Sequence, residues 1–381
     1  MSTRFASRIL VMTFLAAGLA SAVHASSIAT VMVGGEYRTW EEQAGTSQDR
    51  SISQGGGVLT LGLRLASVAD LVVSNSGAWS KAGLGASNVS LAGFGALSSA
   101  LFVHLDNDRL LLKLTATAPS GKTRLDDDDL LIVEALGHPL LGFGLRHYGT
   151  GFEVGGSTTW GLIEAQSHRL TIGGGGLVRG PYRLFKAAPD FHAAAEWAMT
   201  TGFEMGMSGA QGGAPVRIDL TYRDFGTDRL GAIGVYREGA QLEMLGQGVA
   251  DRSPFYWTGT VRGVLKSDNR ILAPPGSAVA DFKASSGDLV GILLSVDRAL
   301  GSGTRLGLLL EDNVLAGSDA SGRNGNVIGI GEHLAFPLGS GMSLRLSSQY
   351  WWGRVDAVSG GPRHDFHGVS VGMQLRWDGN S

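Results

Sequence analysis

The sequence predicts an all-β protein: a transmembrane, antiparallel, up-and-down β-barrel of about 14–16 strands, preceded by a signal peptide. Three observations carry this. Long segments alternate apolar and polar side chains at a period of two, as strands with different solvents on their two faces do. The joins between those segments largely alternate between short and long. After residue 25, no apolar stretch approaches the length a helix needs to span a bilayer.

The chain opens with Arg4 and Arg8, followed by "ILVMTFLAAGLASAV" through Val23 and the small residue Ala25. A basic start, a short apolar run and a small-residue cleavage site make residues 1–25 a secretory signal peptide. Residues 26–381 then form one barrel domain. With no cysteine in an exported chain, disulfides do not hold the fold. The formal charge of −3 provides no basic patch, so nucleic acid is not an expected partner. Fifty-nine glycines lie inside and beside the alternating segments, without the every-third spacing of collagen.

The segment "FHAAAEWAMTTGFEMGM" (191–207) shows the conflict between propensity and pattern. Its Ala, Glu and Met residues favour helix, yet alternate positions sort into apolar and polar sets. The pattern predicts Phe191, Trp197, Met199 and Phe203 toward lipid, with Glu196 and Glu204 toward the lumen. The same period recurs in "VLTLGLRLA" (58–66), "RLLLKLTAT" (109–117), "PVRIDLTYRDFG" (215–226), "FYWTGTVRGVLK" (255–266), "MSLRLSSQYW" (342–351) and "DFHGVSVGMQLRW" (365–377). It nominates Arg64, Lys113, Arg217, Asp219, Arg223, Arg262, Arg305, Glu311 and Arg345 as further lumen-lining residues. A water-soluble sandwich would alternate too. Strand lengths near the bilayer-crossing range, a high strand number and the asymmetry of the joins favour the barrel.

Short joins fall at 105–109, 164–167, 250–253, 299–303 and 338–342. Longer ones fall at 41–53, 78–95, 118–150, 179–192, 267–285, 316–325 and 353–364. They are expected as periplasmic turns and extracellular loops respectively, with 118–150 the long loop. Within it, "DDDDLLIVEALG" (126–137) predicts a short helix, with Asp126 to Asp129 at its positive end and Leu130, Leu131 and Leu136 turned inward over the barrel mouth. Such a helix offers either a hydrophobic capture groove or a solvated acidic loop holding divalent ions among lipopolysaccharide.

The last strand, "SVGMQLRW" (370–377), carries Gly372, Leu375 and Trp377. It resembles the C-terminal signal read by the barrel assembly machinery, although "DGNS" follows the aromatic. An ordinary final strand with an interfacial aromatic would read the same way.

A strand running into Pro119-Ser120-Gly121-Lys122, followed by the acidic stretch, resembles the FadL/TodX family of outer-membrane transporters of hydrophobic compounds. The stretch "LTYRDFGTDRL" (220–230) is similar to a second recurring strand end of that group. The resemblance implies a monomeric barrel of about fourteen strands that takes up fatty acids or aromatic hydrocarbons past an N-terminal plug bearing an Asn-Pro-Ala motif. That motif is absent from the sequence.

No enzyme is expected. The chain lacks a G-x-S-x-G nucleophile motif, and His364 and His367 are spaced to opposite faces of a strand. The glycines at 173–176 lack the Lys-Ser/Thr of a phosphate loop. No cofactor is expected either. The reading is an outer-membrane channel passing small, hydrophobic molecules. Its alternatives are a general diffusion porin and a structural barrel with a filled lumen. Expected partners are outer-membrane lipid, lipopolysaccharide, the assembly machinery and a hydrophobic ligand.

Overall fold

The computed structural model describes residues 28–43, 50–84, 87–122, 125–145, 151–165, 167–183, 189–206, 215–277, 280–319, 324–356 and 363–379. Residues 1–25, expected as a signal peptide, lie outside them, as does Met207.

The first strands are β1 (Ile28–Gln43), β2 (Arg50–Ala66), β3 (Ala69–Leu84), β4 (Ser87–Phe94), β5 (Leu97–Leu105) and β6 (Leu110–Ala118). A long connection holding helix α1 (Asp127–Leu136) leads to β7 (Glu153–Glu164) and β8 (His168–Arg179). Then come β9 (Phe191–His192), β10 (Glu196–Met205), β11 (Val216–Phe225), β12 (Asp228–Leu230), β13 (Ile233–Arg237) and β14 (Gln241–Arg252). The chain continues through β15 (Phe255–Lys266), β16 (Asn269–Ile271), β17 (Phe282–Ala284), β18 (Ser286–Gly301) and β19 (Thr304–Ser318). It ends with β20 (Gly325–Gly339), β21 (Met342–Asp356) and β22 (Arg363–Asp378).

Seventeen of these strands form one sheet, closed because β1 pairs with both β2 and β22. β4 and β5 share one position beside β3, β4 on its upper half and β5 on its lower. The barrel therefore has 16 strand positions, all paired antiparallel. Between β4 and β5 the chain bulges at Gly95, whose N–H donates to Ser76 O at 2.8 Å. Closure leaves no unpaired edge.

The register explains the alternating sequence. Trp197, Met199, Phe203, Ile218, Leu220 and Tyr222 all point outward and are exposed, with no described residue covering them. Leu306, Leu308 and Leu310 do the same on β19. An outer face of this kind is stable in lipid and costly in water. Outward aromatics gather at its two margins: Trp160, Trp257 and Trp377 toward one end, and Trp197, Tyr222, Tyr350 and Trp352 toward the other. An even-stranded antiparallel barrel with an apolar belt and aromatic girdles is the architecture of a bacterial outer-membrane protein.

At one end the strands are joined mainly by tight turns, at 67–68, 106–109, 253–254, 302–303 and 340–341 among the described residues. Asp106, Asn107 and Asp108 take left-handed φ values of 51°, 53° and 67°, a conformation short polar side chains tolerate. The connection at this end between β10 and β11 is longer. The large connections lie at the other end, and several pair with one another. β17, β16, β13, β12 and β9 form a five-stranded sheet from three neighbouring loops.

Three sequence expectations are corrected. Phe191 does not face lipid, because the strand expected over 191–207 is broken between β9 and β10. Phe191 instead pairs with Leu230 and Tyr182 in the loop layer. The break has a physical cause in side chains that capture the Ala194 backbone: Arg179 Nη1 donates to its O at 2.9 Å and Asp228 Oδ1 accepts from its N at 2.7 Å. The join expected over 78–95 is mostly strand, with only residues 85–86 between β3 and β4. Its small, weak strand formers concealed it. Much of 41–53 is likewise strand.

Candidate functional site: a lumen narrowed by an inward-folded connection

The connection from β6 to β7 enters the barrel rather than standing outside it. α1 follows from its sequence. Asp126 caps the helix, its side chain accepting from Asp129 N at 3.0 Å while Asp129 accepts from Asp126 N at 3.0 Å. Asp127 and Asp128 in the first turn suit the positive helix end. Beyond it, Ile132, Leu136, Leu140, Leu141 and Phe143 are buried against inward side chains of the wall: Trp40, Ile52, Ala78, Leu91, Val327, Trp351 and Val355. That cluster stabilises the fold by roughly 1.5–3 kcal/mol for each large side chain it hides from water.

Polar contacts fix the position. Trp40 Nε1 donates to Leu141 O at 2.9 Å, and Arg38 Nη1 donates to Leu141 O at 3.1 Å and Gly142 O at 2.6 Å. The Gln54 amide accepts from Leu145 N at 3.0 Å and donates to Leu145 O at 2.7 Å, as a neighbouring strand would. At the entry to the connection, Ser120 Oγ donates to Gly95 O at 2.6 Å. Lys122 Nζ pairs with the buried carboxylate of Asp129. Below the connection a cavity of about 710 Å³ is lined by Glu36, Arg38, Gln54, Leu145, Arg345 and Gln349, among others.

The facing wall carries charge. From β7 to β15 the inward residues Glu153, Arg179, Glu196, Arg223, Glu243 and Arg262 alternate in sign, one per strand. Arg179 lies 3.2 Å from Glu153 and 2.9 Å from Glu196; Arg223 lies 2.8 Å from Glu196 and 3.6 Å from Glu243; Arg262 lies 2.8 Å from Glu243. Each inner member thus has two oppositely charged neighbours, which offsets desolvation while leaving the outer edges of the guanidinium groups open to water. Lower on the same wall, Arg217 pairs with Asp219 at 2.6 Å and Glu204 at 3.2 Å.

The sequence-nominated residues fall on the inner face by register, but in separate groups. Glu196, Arg223 and Arg262 join the ladder, and Glu204, Arg217 and Asp219 form the lower cluster. Arg64 pairs with Asp70 at 3.4 Å, Lys113 lies over the Phe102 ring at 5.7 Å, and Arg345 lines the cavity. Arg305 lies over the Tyr256 ring at 5.4 Å, and Glu311 accepts from Asn313 at 2.7 Å. Pro119 and Gly121 lie in the irregular stretch after β6, just ahead of Lys122, which pairs with Asp129. In β22, Leu375 and Trp377 point outward and Gly372 inward, while His364 and His367 take opposite faces.

Sequence reasoning missed Glu153, Arg179 and Glu243 in the ladder, and Arg38, Trp40 and Gln54 as anchors. Glu243 was within reach of the same alternation, lying between Leu242 and Met244. The anchors gave no local signal, because their partners lie about a hundred residues away in the chain.

Above the ladder, the loop layer holds titratable groups in partly desolvated positions. Burial raises the carboxyl groups of Asp228 and Glu238 above their usual range. Burial, with Glu238 and Asp228 nearby, raises the Tyr236 phenol to about 12.

No known protein family matches the chain, and no curated protein does. Among solved structures, OccAB1 of Acinetobacter baumannii is similar, with a TM-score of 0.47 at 10% identity over 92% of this chain and 96% of that one. The Pseudomonas aeruginosa outer membrane protein OprD has a TM-score of 0.43 at 9% identity, over 92% and 94% of the two chains. A FadL homologue of Pseudomonas aeruginosa has a TM-score of 0.45 at 10% identity, over 93% and 90%. These likenesses are to the barrel, and nothing about cargo is carried over from them.

Proposed function

We propose that the protein is an outer-membrane channel for small polar solutes, narrowed by the connection between β6 and β7 and made selective by the facing charges. The ladder from Glu153 to Arg262 carries this reading. Alternating carboxylates and guanidinium groups exchange hydrogen bonds with a polar solute as it advances, in place of its water. An apolar solute gains no such replacement. The apolar face of α1 is used up in packing: Ile132 and Leu136 are buried against the wall, while Leu131 faces away. A hydrophobic groove on that helix therefore receives no support.

One observation favours a second reading, a FadL-like passage for hydrophobic molecules. The cavity under the connection includes Met32, Val58, Leu145 and Leu309 beside its polar residues. Single-channel recording of the refolded mature chain in a planar bilayer separates the two. Steady ohmic conductance in potassium chloride supports the polar channel. Silence from demonstrably inserted protein, together with saturable binding of an aromatic hydrocarbon, would replace it with the second reading.

A further inference from the structure

The outer surface of the barrel holds a second concave site, on the wall formed by β20, β21 and β22. Its volume is about 630 Å³, and its side chains include Asn326, Ile328, Tyr350, Trp352, Arg354 and His367. Register pairs Trp352 with His367 and Arg354 with Asp365 on the outward face. The Tyr350 and Trp352 rings stack with centroids 5.9 Å apart and planes 26° apart. Arg354 Nε lies 2.8 Å from Asp365 Oδ1, and His367 Nε2 lies 3.1 Å from Glu41 Oε2 on β1.

The height of the site identifies its surroundings. On β21 the outward residues run Met342, Leu344, Leu346, Ser348, Tyr350, Trp352, then Arg354. A strand tilted by about 40° climbs roughly 2.5 Å per residue, which places Arg354 about 30 Å above Met342 and past an apolar band about 25 Å tall. The two aromatics therefore sit at the extracellular margin of the membrane, with the charged group in the headgroup layer above them.

We propose that this is a binding site for the phosphorylated sugar headgroup of an outer-leaflet glycolipid. The stacked rings present an apolar platform the size of a sugar face. The Arg354 side chain is 66% exposed and offers its remaining donors to a phosphate. Asp365, Glu41 and Asn326 supply acceptors for sugar hydroxyls. A glycerophospholipid has a phosphate but few hydroxyl donors, and would leave those carboxylates facing its own negative charge. Ile328, Ile330 and Val369, on the apolar face beneath, receive the acyl chains. The site points away from the lumen and is independent of what passes through it.

The test is native mass spectrometry of the refolded mature chain in detergent micelles, titrated with lipid A or with phosphatidylglycerol. One lipid A is expected to be held in preference to phosphatidylglycerol. The double variant Trp352→Leu/Arg354→Ser and the milder Arg354→Gln should each weaken it, the double by about tenfold or more. Unchanged heat-modifiable mobility in gels and unchanged conductance show that the variants remain folded barrels. Equal retention of lipid A by wild type and both variants, equal binding of the two lipids, or no lipid A on wild type would overturn the proposal.

Discussion

His333 on β20 reaches Asp297 on β18 at 3.0 Å by lying across β19, over Gly307. A Cβ at Gly307 would collide with both side chains. Gly329 plays the same part beneath Trp351, whose Cε3 would lie 2.5 Å from an added Cβ. The inward glycines thus let long side chains lie flat against the wall. Gly307→Ala is expected to destabilise the barrel by about 1–3 kcal/mol through overpacking, seen as a lower midpoint in urea unfolding. An unchanged midpoint would mean that His333 moves freely. At the entry to the inward connection, Lys122→Met leaves Asp129 buried without its cation. That should cost about 1–3 kcal/mol locally. Limited proteolysis should then cut within 119–152 while the strands stay resistant; a connection as resistant as wild type would show the pair to be dispensable.

At the scale of elements, the β6–β7 connection is held by a few side chains of β1 and β2. Arg38→Ala combined with Gln54→Leu leaves Trp40 as the remaining described side-chain donor to residues 141–145. The expected result is a single-channel conductance higher by at least about twofold, with more frequent current steps as the segment moves. Identical traces would show that the connection is not the constriction. The ladder belongs to this scale too, since each of its members comes from a different strand. Arg223→Gln with Arg262→Gln leaves Glu153, Glu196 and Glu243 against Arg179 alone. The reversal potential in a potassium chloride gradient should then move toward that of potassium, and its failure to move would place the conducting path elsewhere.

For the molecule as a whole, two solvents set the design: lipid outside and water within. The five-stranded loop layer is held by its own strand pairing rather than by barrel closure, and the protonation of its partly buried acids bears on it. Asp228 and Glu238 have folded pKa values above their unfolded ones, so their protonated forms favour the folded layer. That contribution is complete below about pH 4 and is lost as pH rises through the raised values. The Ala194 N–H and Arg179 at Asp228, and Lys266 and Arg179 at Glu238, oppose the shift without cancelling it. Asp190, lowered by Arg183, acts in the opposite sense at an exposed position. Hydrogen exchange at 228–238, corrected for intrinsic rate, should therefore be more protected at pH 4 than at pH 7. Greater protection at pH 7 would contradict this account.

The sequence by itself determined the class of fold, because a period of two fixes strands with two different faces, and their length, number and alternately short and long joins separate a membrane barrel from a soluble sandwich. It also determined which residues of segments such as 215–226 turn inward, since a strand leaves no other choice. The helix after Lys122 was legible from its acidic first turn. Only the tertiary structure decided that the connection carrying this helix enters the lumen, because the connection's partners Trp40, Gln54 and Trp351 come from strands far away in the chain. Only the register between neighbouring strands decided that Glu153, Arg179, Glu196, Arg223, Glu243 and Arg262 stand in one line. Side-chain direction is local, set by the pleat of each strand, whereas height on the wall depends on the register between strands and so on the whole barrel.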